Sequence, residues 1–141
     1  MNPPSPPPAR RRPFGLRLVT FGLALIACNG SLRLVESLRS AEFLARFDLQ
    51  PGVGYLAASG ALFAAAGLAG ALSLWLRRRW GAPLAGAVIL LWLGWTWLDR
   101  LLVARAPQTA GLPFLLAASL LTLLFCGAVL WKEWRSNRES E

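Results

Sequence analysis

The chain has 141 residues, which is enough for one domain. Hydrophobic residues make up 55% of it, a composition typical of membrane proteins rather than water-soluble ones. The net charge is +8, but the basic residues flank apolar runs, so we expect anionic lipid headgroups as partners and no nucleic acid. With no histidine and two distant cysteines, the chain lacks the usual ligands of a metal or haem cofactor, and none is expected.

The first segment is rich in proline and arginine. Residues 1–13 have almost nothing apolar to bury, so they are predicted to form a disordered cytoplasmic tail. The apolar run Leu18–Cys28 follows, and it predicts a membrane span over residues 14–37. An alternative stays open, because residues 25–28 (LIAC) resemble a bacterial lipobox and Cys28 would then be lipidated after cleavage of a signal peptide.

Apolar and charged residues are interleaved at helical spacing from Ser31 to Gln50. This pattern predicts that the first helix leaves the membrane and that residues 38–50 continue it as an amphipathic helix along the outer surface. Pro51 and Gly52 end the pattern.

The second predicted span, residues 55–76, carries no charge and is long enough to cross a hydrocarbon layer of about 30 Å. Small residues recur along one face of it at spacings of four, three and four: Gly60, Ala64, Gly67 and Ala71. Such a stripe lets two helix backbones approach closely. Packing against a helix of the same chain is the default expectation, and packing against a second copy or a membrane-protein partner is the alternative.

Two further apolar runs predict spans over residues 83–104 and 112–131, and residues 132–141 form a polar cytoplasmic tail. The expected fold is therefore all-α: an integral membrane four-helix bundle over residues 14–131, with the amphipathic interfacial extension after the first span. The abundance of arginine, alanine, leucine and glycine suggests a bacterial source and hence the inner membrane.

The distribution of basic residues predicts the orientation. Ten of the fifteen lie in the N-terminal segment, the turn at 77–79 and the C-terminal tail, so both termini are expected in the cytoplasm. The residues expected to contact lipid headgroups there are Arg10, Arg11, Arg12, Arg17, Arg77, Arg78, Arg79, Lys132 and Arg135.

Charged groups of the first and third predicted spans are expected at the same height in the membrane. At about 1.5 Å per residue, Arg33 and Asp99 each lie about 25 Å from the inner edge, and Tyr55 and Ser59 belong to the same outer half. The candidate outer-face polar cluster is Asn29, Arg33, Glu36, Trp92, Thr96, Asp99 and Arg100. One interpretation is a brace in which Arg33 pairs with Asp99, or Glu36 with Arg100; the other is a shallow pocket for a small ligand or lipid headgroup.

The tryptophans are predicted to lie at different depths in the membrane. Trp80, Trp131 and Trp134 are expected in an aromatic belt at the inner interface, and Trp97 in one at the outer interface. Trp92 and Trp95 lie deeper, where core packing and stacking on a ligand are both possible roles.

The function expected from these patterns is that of a non-catalytic accessory or scaffold protein which binds partners within the bilayer. The alternative is a transporter-like or ligand-binding bundle, although small multidrug exporters of this size keep an acid deep in the first helix and this chain has none there. Quinone-linked thiol oxidoreductases need a CxxC pair, which is also missing. We therefore expect no enzyme.

Overall fold

The computed structural model describes residues 13–46, 52–103 and 111–138. Its elements are helices: α1 Phe14–Arg39, α2 Ala41–Arg46, α3 Val53–Trp75, α4 Gly81–Leu98, a π-helical turn Asp99–Val103, and α5 Leu112–Arg138. The prediction of a helical chain with four helices long and apolar enough to cross a membrane is confirmed. Most of the predicted tail, with Arg10, Arg11 and Arg12, lies outside the described residues, as do residues 47–51, 104–110 and 139–141.

The first helix begins directly after Pro13, whose carbonyl accepts hydrogen bonds from the backbone of Leu16 and Arg17. It ends at Arg39, where Ser40 forms a turn before the short helix α2. The sequence suggested one continuous helix through this region. Instead, Ser40 takes φ −94° and ψ 12°, and its backbone N–H closes the last turn of α1 on the Glu36 carbonyl.

Helices α1 and α3 run antiparallel in the most extensive contact of the structure. They touch backbone to backbone: a Cβ added at Gly30 would lie 2.4 Å from the Ala64 nitrogen, and one added at Gly67 would lie 2.7 Å from the Ala27 nitrogen. The small-residue stripe of α3 therefore faces α1 of the same chain, with Gly60 packed against Gly30. Van der Waals packing at this distance is the main force between helices in a lipid environment.

The apolar core lies in the half of the structure that contains the start of α1 and the end of α3. It is formed by Leu16, Val19, Leu23, Ala71, Leu74, Ala82, Ala85, Val88, Ile89, Leu93 and Leu130. Helix α5 contributes only Leu130 to this buried set. The three earlier long helices therefore supply almost all of the core.

Helix α5 packs chiefly along α4 and leaves most of its apolar surface open. Phe114 and Leu124, for example, are 78% and 70% exposed. A side-chain hydrogen bond joins α5 to α4, donated by the Trp97 indole nitrogen to the Ser119 hydroxyl at 3.2 Å. The helix continues to Arg138, beyond Trp131 where the apolar run ends.

The turn between α3 and α4 contains an unusual backbone conformation. Arg77 has φ 50°, in the left-handed region. Its N–H bonds to the Leu74 carbonyl and the Arg78 N–H bonds to the Ser73 carbonyl, which together form a Schellman motif at the end of α3. Glycine normally occupies this position because a Cβ is strained there.

We expect Arg77→Gly to raise the free energy of unfolding by about 1 kcal/mol, because glycine removes the strain of the left-handed conformation. Thermal unfolding in detergent micelles, followed by circular dichroism, measures the change. Arg78→Gly is the matched control, since it removes the same charge where φ is negative. Equal stability of the two variants would contradict the strain at Arg77.

Candidate functional site

Charged and aromatic side chains from three helices meet at the end of the structure that lies away from the Arg77–Arg79 turn. We call Arg33, Tyr55, Trp95 and Asp99 the Asp99 cluster. Both terminal nitrogens of the Arg33 guanidinium approach Asp99 Oδ2, at 3.4 and 3.3 Å. The Tyr55 hydroxyl donates a hydrogen bond to the other carboxylate oxygen, Oδ1. The carboxylate therefore links α1 and α3 to the end of α4.

Asp99 is placed by a change in the helix itself. It is the first residue of the π-helical turn Asp99–Val103, which continues directly from α4. A π-helical turn is wider than an α-helix, shifts the side chains that follow it, and is often found at functional sites. The carboxylate reaches Arg33 and Tyr55 from this position.

Aromatic rings enclose one side of the cluster. The Tyr55 ring stacks on Trp95 with centroids 5.6 Å apart, and Phe63 meets Trp95 edge to face at 5.8 Å. The Arg33 guanidinium lies 5.9 Å from the centre of the Tyr55 ring, at the limit of a cation–π contact. Within the described chain, the buried Trp95 indole nitrogen has no hydrogen-bond acceptor.

The ion pair is partly open to solvent. The side chains of Arg33 and Asp99 are 29% and 27% exposed. Their nitrogen–oxygen distances are longer than the 2.7–2.9 Å that is usual for a charge-assisted hydrogen bond. The energy of the pair therefore lies between those of an exposed salt bridge and a fully buried one.

The structure brings Arg33 and Asp99 together and separates the other predicted members of the polar cluster. Glu36 is exposed. The Arg100 guanidinium lies beside Gly111, just ahead of α5. The Thr96 hydroxyl donates a hydrogen bond to the Trp92 carbonyl in its own helix. Thr96 is therefore not part of the Asp99 cluster.

Asn29 and Trp92 lie instead on an apolar groove between α1 and α5, with α4 as its floor. This α1–α5 groove has a volume of about 750 Å³. Its walls are formed by Leu18, Gly22, Leu25 and Asn29 of α1 and by Leu121, Thr122, Phe125 and Cys126 of α5, with Ile89 and Trp92 beneath. Among the side chains that the structure describes, the Asn29 amide has no hydrogen-bond partner.

The basic residues of the described chain that were assigned to lipid headgroups lie at the opposite end. Arg17, Arg77–Arg79, Lys132 and Arg135 are all exposed there. Arg135 lies 5.8 Å from the centre of the Trp131 ring, and Trp131 is in contact with Trp134, so this end also carries the aromatic residues expected beside headgroups.

Sequence reasoning missed two members of the Asp99 cluster. Tyr55 was placed at the right level but was not paired with Asp99, and Trp95 was not recognised as the ring that stacks on it. The spacing of four residues between Trp95 and Asp99, which puts them on one helix face, was an available signal.

No metal site is found in the described ranges, where no three aspartate, glutamate, cysteine or histidine side chains come together. Cys28 and Cys126 are both free thiols. Comparison of the chain with protein families, curated proteins and solved structures gives no match.

Proposed function

We propose that the chain is a multi-pass protein of a bacterial inner membrane, a four-helix bundle with both termini in the cytoplasm, and that it acts without catalysis as an accessory or scaffold protein. Its role is to bind another membrane protein within the bilayer. Anionic lipid headgroups contact its basic cytoplasmic end, and the short helix α2 lies along the outer surface.

The observation that carries this proposal is the exposure of α5. Of the most apolar 18 residues of α5, only 6% are buried within the chain. The corresponding share is 22–33% for the other three long helices. A bundle that needed α5 only to complete its own fold would bury more of it. A helix held by α4 and, near its C-terminal end, by α1, with the rest of its surface open, is suited to pack against a helix of a partner.

The polar side chains support a structural role for the Asp99 cluster. Both carboxylate oxygens of Asp99 are engaged by side chains of the same protein. The carboxylate therefore joins α1 and α3 to the end of α4, and the brace interpretation of Arg33 and Asp99 is preferred.

The continuous α1 favours a membrane span over lipoprotein processing at Cys28. A Cβ added at Gly67 would lie 2.9 Å from the Leu23 oxygen, and Gly30 packs against Gly60, so α1 contacts α3 on both sides of the lipobox-like sequence. Cleavage before Cys28 would remove about half of this interface. We therefore retain residues 14–37, which lie within α1, as the first span.

A second candidate function is binding of a small ligand at the Asp99 cluster. It is favoured by one observation, the buried Trp95 indole nitrogen without an acceptor in the described chain. Buried donors are usually satisfied, so a ligand with an acceptor oxygen could complete this one.

In vivo photocrosslinking tests the accessory role. A photoreactive residue at Leu124 on α5 is expected to give one discrete protein adduct, identified by mass spectrometry as a membrane protein. Leu72 on α3, which is 49% exposed, serves as the control position and should label lipid alone. Lipid adducts alone at both positions would contradict the proposal, as would a reporter fused to either terminus that is active in the periplasm.

A further inference from the structure

The free face of α1 carries a regular pattern that the fold of a single chain does not use. The residues along the middle of this face form a line that we call the α1 seam: Leu18, Gly22, Leu25, Asn29, Leu32, Glu36 and Arg39. The spacings alternate between four and three, which is the heptad pattern of a two-helix interface. One set of positions holds three leucines and then Arg39, and the other holds Gly22, Asn29 and Glu36.

These residues are open in the structure. Leu18, Leu25 and Leu32 are 45%, 54% and 61% exposed. A Cβ added at Gly22 would meet nothing within 4 Å. The seam therefore lies away from the α3 interface, and the half that includes Leu18 and Leu25 forms one wall of the α1–α5 groove.

Asn29 indicates what the seam packs against. In the proposed span it lies about 20 Å above the inner edge, inside a hydrocarbon layer of about 30 Å. No side chain in the described part of the protein bonds to its amide, and an acyl chain has no group that could. An amide has both donors and an acceptor, so two copies of Asn29 can bond to each other reciprocally.

The charges at the outer end are also self-complementary. Glu36 and Arg39 are exposed and occupy successive positions of the seam. In two parallel helices the two Glu36 carboxylates lie in one layer and the two Arg39 guanidinium groups in the next. Each Glu36 is therefore within reach of Arg39 of the other copy, on both sides of the two-fold axis. A common orientation in the membrane makes the two α1 helices parallel.

From these observations we infer that the occupant of the α1–α5 groove is α1 of a second copy of this chain. The two α1 helices cross as a left-handed pair, with their Asn29 amides hydrogen-bonded on the two-fold axis. Each α1 then lies between α1 and α5 of the other copy. This inference rests on the proposed membrane placement, but the partner-binding role of the outer face of α5 is independent of it.

Disulfide crosslinking in native membranes tests the dimer. In a Cys28→Ala, Cys126→Ala background, Leu25→Cys and Leu32→Cys place thiols on the seam, and oxidation is expected to give a covalent dimer. Ala24→Cys is the matched control, because Ala24 is exposed at the same depth but belongs to the face near Thr20 and Trp75. It should stay monomeric.

The role of Asn29 is measured by energy transfer between labelled copies in lipid vesicles. Asn29→Leu keeps the seam apolar and is expected to raise the dimer dissociation constant about tenfold, the usual range for one interhelical hydrogen bond. Ala24→Leu should leave the dissociation constant unchanged.

Several results would overturn the dimer. They are equal crosslinking at Ala24→Cys and Leu25→Cys, energy transfer that does not respond to Asn29→Leu, and lipid or a different protein in the groove. If the protein is a monomer but stays in the membrane after carbonate extraction, the dimer is wrong and the proposed membrane placement is unaffected. Release by carbonate would instead overturn the membrane placement and the proposed function with it.

Discussion

Gly30→Val is expected to lower the free energy of unfolding by about 3 kcal/mol, the upper part of the range for overpacked interiors. A Cβ at this position would lie 2.4 Å from the Ala64 backbone nitrogen and 2.8 Å from the Gly60 oxygen. Backbone atoms cannot move aside as a flexible side chain can, so α1 and α3 must separate. Titration with sodium dodecyl sulfate in mixed micelles, followed by circular dichroism, measures the loss.

Gly94→Val on α4 is the control for this change, since a Cβ there meets nothing within 4 Å. It introduces the same side chain into a helix without a backbone contact and should change stability by well under 1 kcal/mol. If Gly30→Val were no more destabilising than Gly94→Val, the close approach of α1 and α3 would be wrong.

Asp99→Ala is expected to cost about 2–3 kcal/mol, between the values for an exposed and a buried ion pair. The substitution leaves the Arg33 guanidinium and the Tyr55 hydroxyl without the carboxylate that joins them. The same detergent titration measures the cost. Glu42→Ala removes an exposed acid on α2 and should have little effect.

A double-mutant cycle separates the ion pair from other effects of the mutation. Adding Arg33→Leu to Asp99→Ala removes the uncompensated cation, so the double variant should cost clearly less than the sum of the two single variants. Additive losses of unfolding free energy would show that the two side chains do not interact. The pocket interpretation of the cluster would then be favoured.

Much of the fold could be predicted because length and hydropathy alone determine where a helix can cross an apolar layer. The second span was expected at residues 55–76, and the structure has an apolar helix of sufficient length there, Val53–Trp75. The π-helical turn in the third predicted span was not predicted. Its first residue, Asp99, contacts Arg33 and Tyr55 of two other helices, and the hydropathy of a segment carries no information about such contacts.

The candidate site was predicted only in part for a related reason. Counting residues along helices places Arg33 and Asp99 at one height, and the two side chains do meet. Height gives no information on rotation about the helix axis. Asn29 and Trp92 have suitable depths, but α1 and α4 direct them to the groove rather than to the cluster.

The uneven distribution of the core has a consequence for biosynthesis. Leu130 is the one residue of α5 in the buried apolar set, and the backbone contact between α1 and α3 is complete before α4 is reached. Helices α1, α3 and α4 can therefore associate before α5 has been translated in full. Helix α5 then joins a preformed unit, and a partner that competes with α4 for its surface disturbs little of the buried core.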